Sequence, residues 1–307
     1  MPPTDDYQAL HERAGFLERD DLGRLRLRGA DRRSYLHGIL TNDIEALAGG
    51  AGTYAALLTP QGRMITDMHV YELGGETLVT LPAPLAAATR DRLDQFVFSE
   101  DVQVEDATAA TVQFGVYGPA ATDVVARLSL TPEAMVVASR DFGVEGFEVV
   151  ALRDQRVELE RQFAESGALP VDAATADVVR VEAGIPKFLV DMTPETIPLE
   201  AGIEGRAISM TKGCYPGQEV IIRVLHRGGG RVAKKLVGVV LSAGAALPAV
   251  GEKVKSGDRE IGALTSVVVS PRLSRPIALG YVHRDFVEPG TAVTVGSGAA
   301  EIAALPF

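Results

Sequence analysis

Between residues 22 and 28, Leu22, Leu25 and Leu27 stand against Arg24, Arg26 and Arg28, the pattern of a strand with one buried face. Upstream, Gln8 to Arg19 has Leu10, Ala14 and Leu17 at helical spacing and predicts a helix. Downstream, Gly29-Ala30-Asp31 turns the chain into a second helix carrying Tyr35, Leu36, Ile39 and Leu40, ended by Asn42-Asp43. Residues 53–58 and 64–73 predict two strands joined through Thr59-Pro60-Gln61-Gly62-Arg63, a hairpin-like turn. Leu78 to Leu81 predicts a further strand, and Pro84 to about Phe96 a helix with Ala87, Ala88 and Leu93 on its apolar face.

A second block starts near Thr111. Val112 to Tyr117 is apolar, Gly118-Pro119 breaks it, and Ala120 to Leu128 predicts a helix. Val136-Val137 and Gly146 to Leu152 predict strands. Gln155 to Ser166 predicts a helix stopped by Gly167, which tolerates the left-handed backbone of a helix end. Asp172 to Ala183 predicts another, stopped by Gly184 and Pro186. From Lys235 onward, short β-rich runs at 236–241, 252–255, 259–264, 265–269, 277–282 and 292–295 are punctuated by Gly and Pro, which predicts a small closed or partly closed β-barrel. The expectation is an α+β chain with a first domain over 1–110, a second over 111–189 and a barrel over 235–307, residues near 190–234 completing the first.

Composition narrows the class. A 307-residue chain that is 46% hydrophobic and 23% charged is neither disordered nor, without an apolar run of ~18 residues, threaded through a membrane by a helix. The acidic start Met1-Pro2-Pro3-Thr4-Asp5-Asp6 lacks a basic-then-apolar leader, so the expectation is a soluble cytoplasmic protein with no membrane partner. One cysteine, Cys214, excludes an internal disulfide and a cysteine-cage metal site built by one chain. The net charge is −11, yet residues 206–235 carry seven cations against Glu219 alone. Such an island suits either a carboxylate-bearing or polyanionic ligand held at one place or a solvated basic turn. It does not suit direct nucleic-acid binding across a whole face.

Inside that island lies Lys212-Gly213-Cys214-Tyr215-Pro216-Gly217-Gln218-Glu219. Its glycines and proline predict a tight loop, and Val220 to Val224 fits either a strand or a helix opened by Gly217-Gln218-Glu219. In the helical case Cys214 lies near a positive helix end and, with Lys212, has a favoured thiolate; otherwise it is a small buried hydrophobe. Gly228-Gly229-Gly230 lacks the Gly-Lys-Ser/Thr of a phosphate loop. His11, His37, His69, His226 and His283 are scattered without an i, i+4 pair; Asp67 and His69 share a strand face but lack a third ligand, so no metal site is expected.

The octapeptide resembles the K-G-C-Y-x-G-Q-E signature of the YgfZ family, folate-binding proteins related to the glycine-cleavage T-protein and implicated in iron–sulfur protein maturation. Further resemblance to that superfamily runs along most of the chain. It is carried by Leu27 to Asn42-Asp43, Thr59 to Asp67, Arg180-Val181-Glu182-Ala183-Gly184-Ile185-Pro186, Pro198-Leu199-Glu200-Ala201-Gly202, and the tail segments Gly262 to Ser266 and Ala278 to Val282. The resemblance implies a three-part ring around a central channel that binds tetrahydrofolate or another reduced folate, the second domain being ferredoxin-like. It places Glu182 where a family glutamate holds the pterin edge, a role suited to a carboxylate that accepts two parallel N–H bonds. Arg180, Asp67, Tyr215, Gln218, Glu219 and Arg223 are the other expected folate contacts, with Cys214 and Lys212 the reactive pair.

Catalytic T-proteins carry an Asn followed by a Lys-Asp pair after the strand matching Leu78 to Leu81, whereas here Leu81 to Ala88 has no carboxylate before Asp91. T-proteins also lack the cysteine loop. The resemblance therefore implies an accessory factor for iron–sulfur enzymes, including radical-type tRNA-modifying enzymes, acting through Cys214. One thiolate cannot hold a cluster that needs about four, so any cluster would be shared with an assembly or client protein. The rival readings are a tetrahydrofolate-dependent aminomethyl- or methyltransferase and an interaction module in which Cys214 is structural.

Overall fold

Alternation of leucine and arginine over residues 22–28 does become a strand, Leu22–Arg28, inside an antiparallel sheet. The structure, a computed structural model, describes residues 4–227 and 231–307; the Gly228-Gly229-Gly230 run lies outside them. The first sheet runs in the order Gly52–Leu58, Met64–Glu72, Thr77–Pro82, Leu22–Arg28, Gln103–Asp106. Its buried face carries Leu25, Leu27, Leu57, Met68, Val70 and Val79, covered by Tyr35, Leu36 and Leu40 from the helix Arg32–Ile39 and its end. The Thr59–Arg63 turn closes the hairpin, with Thr59 N donating to Arg63 O.

The second sheet holds a departure from the sequence reading. The helix expected over Gln8–Arg19 is only Asp5–Glu12, and Gly15–Glu18 is a strand between Leu169–Pro170 and Thr111–Tyr117. The apolar residues Ala14, Gly15, Phe16 and Leu17 are contiguous, and a strand buried on both faces uses them all where a helix would leave some in water. A Cβ on Gly15 would lie 2.5 Å from Val171, so the crossing strand needs glycine there. Residues 5–18 thus belong with the second unit, although the expected boundary put them in the first. The sheet continues through Gly146–Leu152 to Met135–Ser139. Arg24, buried, ties the two returns of the chain together: its Nε donates to Thr111 Oγ1 at 2.8 Å and its Nη2 to Thr108 O at 2.9 Å.

The six C-terminal strands, Lys234–Leu241, Lys253–Ser256, Arg259–Ser270, Arg275–His283, Ala292–Val295 and Gly298–Ala303, form a closed barrel. The two strands expected at 259–264 and 265–269 are one, bent by a register shift between Leu264 and Ser266. The helix Ala173–Glu182, capped by Asp172 on Thr175 N, packs Val181 on barrel residues Leu236, Ile277 and Leu279. Tyr71 and Leu78 of the first sheet meet Met135, Val137 and Val150 of the second. Residues 198–227 form three helices, Pro198–Ala201, Glu204–Ala207 and Gln218–Arg227, whose Leu199, Ala207 and Ile221 pack on Ala56, Leu58 and Met64. Among the described residues no helix is long and apolar enough to cross a membrane.

Candidate active site

In the strand Met64–Glu72, Asp67 and His69 point to the same side, and the register sets Tyr54 and Thr80 on either side of His69. That face meets the second unit at a cavity of about 150 Å³, lined also by Arg19, Asp21, Asp141, Phe142, Arg180, Lys187 and Arg206. Tyr54 Oη donates to Asp67 Oδ2 at 2.7 Å, and the His69 ring sits 5.0 Å from the Tyr54 ring. Burial lifts the Asp67 carboxyl above the ordinary value of about 4, outweighing the Tyr54 bond and the charges of His69 and Arg206. Asp67 is therefore a carboxyl able to hold or release a proton, opening only toward the cavity. Thr80, on the same wall, has a buried hydroxyl with no partner among the described residues.

Opposite lies a charge network. Arg19 Nη1 reaches Glu148 at 2.7 Å and Asp141 at 3.0 Å, and its Nε reaches Asp21 at 3.1 Å. His69 Nε2 bridges to Asp141 at 3.3 Å. One guanidinium cannot neutralise three enclosed carboxylates. Burial and the neighbouring Asp141 push the Glu148 carboxyl up, while Arg19 and His69 keep Asp141 low against its own burial. Despite burial, Arg19 and Lys187 hold Asp21 down to about 2.

Only Asp67 and Arg180 of the residues expected to bind folate line this cavity. Arg180 spends its donors on protein: Nε on Asp177, Nη1 on Ile185 O and Asp191, Nη2 on Ser266. Glu182 lies outside the cavity, and its oxygens accept from Tyr7 Oη at 2.7 Å and from Ser270 Oγ. The contact expected of Glu182 is therefore not made from the wall of this cavity. Two residues apart on one helix, Arg180 and Glu182 project about 200° apart and so meet different neighbours.

The octapeptide is also away from the cavity. Gln218 opens the helix Gln218–Arg227, which settles the ambiguity of Val220–Val224. Lys212 Nζ donates to His37 O and Leu40 O at the end of Arg32–Ile39, and burial lowers its pKa to about 8. Tyr215 is buried among Ala56, Met64 and Ile221. Gly217, at φ +84°, lies so close to the Thr59–Arg63 turn that a Cβ would come 2.5 Å from Thr59 O. Cys214 is exposed, and Glu219 pairs with Arg223 on the exposed helix face. The basic island accordingly disperses: Lys212 is an internal strut, Arg223 is paired, and Arg206 alone of the island lines the cavity. Arg206 is placed there by Thr41-Asn42: Thr41 Oγ1 donates to Ala207 O at 2.6 Å and Asn42 Nδ2 to Arg206 O at 2.9 Å.

Sequence reasoning weighed His69 beside Asp67, but Tyr54, Arg19, Asp141 and Glu148 went unnoticed. Local signals are weak for each: Arg19 and Asp141 lie just past strand ends, where charged residues are ordinarily solvated, Glu148 lies within an apolar strand, and Tyr54 is an unremarkable strand aromatic. Among the described residues no group of three or more His, Cys, Asp or Glu is arranged to hold a metal ion.

Comparison with known proteins gives a consistent result. The GCVT N-terminal domain family matches residues 3–212, and the glycine cleavage T-protein C-terminal barrel domain matches residues 234–307. An aminomethyltransferase of Rubrobacter xylanophilus is 30% identical over 98% of this chain and 85% of its own length. One of Nostoc sp. is 29% identical over 95% of this chain and 83% of its own. In fold, the crystal structure of the glycine cleavage system aminomethyltransferase T of Bartonella henselae superposes with a TM-score of 0.89 at 22% identity, covering 98% of this chain and 88% of that one.

Proposed function

Because this chain belongs to the glycine cleavage T-protein family, we propose that it is a tetrahydrofolate-dependent aminomethyl- or methyltransferase in which Asp67 handles the proton. Members of the family bind tetrahydrofolate. The lining suits the pterin end of such a ligand: Phe142, Pro186 and Phe188 offer apolar walls, carboxylates suit ring N–H donors, and the Thr80 hydroxyl is free to bond. When bound, a reduced folate supplies a nitrogen that accepts the one-carbon unit. Tyr54 fixes the Asp67 carboxyl, burial raises its proton affinity, and the surrounding walls limit access of bulk water.

The carrying observation is Asp67 itself. Leu81 to Ala88 carries no acid–base carboxylate, but Asp67 of the strand Met64–Glu72 offers one, and the named relatives are aminomethyltransferases. Asp67→Asn should bind tetrahydrofolate within about threefold of wild type while transferring a one-carbon unit from methylamine-type donors ~10²–10⁴-fold more slowly. An undiminished rate would refute the role of Asp67.

The cysteine loop supports a second reading, that of a YgfZ-type factor sustaining iron–sulfur enzymes. Cys214 is exposed on a loop anchored at Lys212 and Gly217, away from the cavity, as a thiol that meets another protein needs to be. Cys214→Ala should leave folate binding and folding unchanged but abolish support of iron–sulfur enzymes in cells. Full support without the thiol would remove this reading.

A further inference from the structure

Every cation on the cavity wall except one is engaged by a carboxylate of the chain. Arg19 is held by Asp21, Asp141 and Glu148, Arg180 by Asp177 and Asp191, and Lys187 by Asp21. Arg206 has no carboxylate within 4.0 Å among the described residues, and its guanidinium carbon sits 4.6 Å from the Tyr54 ring centroid. A guanidinium stacked on an aromatic face keeps its planar fork of N–H donors directed sideways, where a carboxylate can take two of them.

Its position is as telling as its lack of a partner. With Ile185 and Pro186, Arg206 borders both the Asp67 cavity and a larger groove of about 750 Å³ against the barrel. That groove adds Lys235 and Arg140 as cations and Glu204 and Glu288 as anions, so it is not a general sink for negative charge. A carboxylate entering it meets its stacked fork at Arg206, where groove and cavity join.

We propose that Arg206 binds a carboxylate of the ligand and thereby orients the ligand against Asp67. The choice of ligand rests on the transferase reading above. That carboxylate belongs either to the glutamate tail of a folate lying in the groove or to a small N-methyl amino acid donor bridging Arg206 and Asp67 across Tyr54.

Calorimetric titration of wild type, Arg206→Gln and Arg206→Lys with tetrahydrofolate, tetrahydropteroate (which lacks the glutamate) and N-methylglycine separates these cases. Because Arg206 is exposed, both variants should keep the wild-type melting temperature. Loss of a charge-assisted pair should weaken the relevant carboxylate ligand about 10- to 100-fold. If the tail is bound, wild type prefers tetrahydrofolate to tetrahydropteroate and Arg206→Gln erases that preference. If the donor is bound, Arg206→Gln weakens N-methylglycine alone. In either case Arg206→Lys retains part of the effect, since it keeps the charge but not the fork.

The proposal is overturned if Arg206→Gln alters none of the three affinities, or weakens tetrahydrofolate and tetrahydropteroate equally, as loss of stacking on Tyr54 would. Failure of wild type to bind either pterin compound would instead sink the folate reading, and the N-methylglycine titration then decides the role of Arg206 by itself.

Discussion

Asp191 is the side chain on which the barrel, the helix Ala173–Glu182 and the cavity wall converge, and removing it should cost more than any single surface change. Its Oδ2 accepts from Arg180 Nη1 at 2.7 Å and from Lys187 N at 3.0 Å; its Oδ1 accepts from Thr265 Oγ1 at 2.5 Å and Ser266 Oγ at 2.7 Å. The side chain has no accessible surface, and that of Arg180 only 4%. Adding four charge-assisted bonds would overcount, because Arg180 keeps Asp177 and Ser266, and Thr265 keeps Leu279 O. What is lost is one partner of a buried ion pair and the acceptor of a backbone N–H, for which about 3–5 kcal/mol is the usual range. With an unfolding entropy of about 2.1 cal/mol/K per residue, that corresponds to a fall in melting temperature of roughly 5–8 °C for a chain of this length. Asp191→Asn should lose about half as much: its oxygen can still face Arg180 and Lys187, while its amide faces hydroxyls that can turn to accept. Scanning calorimetry of Asp191→Ala and Asp191→Asn measures both. An alanine variant melting within about 2 °C of wild type would refute this account of how the barrel is held.

Two further outcomes follow from the titrating groups. Asp67 has its proton affinity raised on folding, so the folded state binds a proton more tightly than the unfolded one and stability falls as pH rises above about 4 through the lifted pKa. Asp67→Asn should therefore melt higher than wild type at pH 8 and show no such gain at pH 3, read by calorimetry across pH; equal shifts at both would deny the burial argument. Lys212 has its pKa lowered to about 8 by burial, so stability gains as pH rises from there toward the ordinary lysine value of about 10.4. Its labelling by an acylating reagent, followed by mass spectrometry, should titrate with a midpoint near 8; a midpoint near 10 would contradict the burial.

Much of the fold is visible in the sequence because local pattern and tertiary demand agree. Gly146–Leu152 and Ala292–Val295 form strands with the bounds their pattern predicts, and Gly167 at φ +90° ends its helix as expected. Failure came where burial on both faces removes periodicity, at Gly15–Glu18, and where small residues hide a strand, at Gly298–Ala303, whose alanines pair with Lys234–Leu241 and close the barrel. The site was legible only in part for a different reason. Asp67 and Tyr54 stand in one recognisable hairpin, but Arg19, Asp141 and Arg206 come from separate segments that only tertiary packing brings to it. A conspicuous motif drew the reading to Cys214, and the cavity lies elsewhere.

The strand Gly15–Glu18 sets how the chain passes between the two units. Because it and Thr111–Tyr117 lie side by side in the second sheet, the whole first sheet is an insertion: the chain leaves the second unit after Glu18 and comes back at Thr111. Residues 19–21 and 107–110 are two covalent crossings between the units, the return of residues 183–197 to the first sheet is a third, and Arg24 laces the first two together through Thr108 and Thr111. A single linker would let the halves swivel freely; several crossings laced by Arg24 restrict their relative rotation. The walls that carry Asp67 and Asp141, bridged by His69 on Asp141 at 3.3 Å, are thereby held in one alignment.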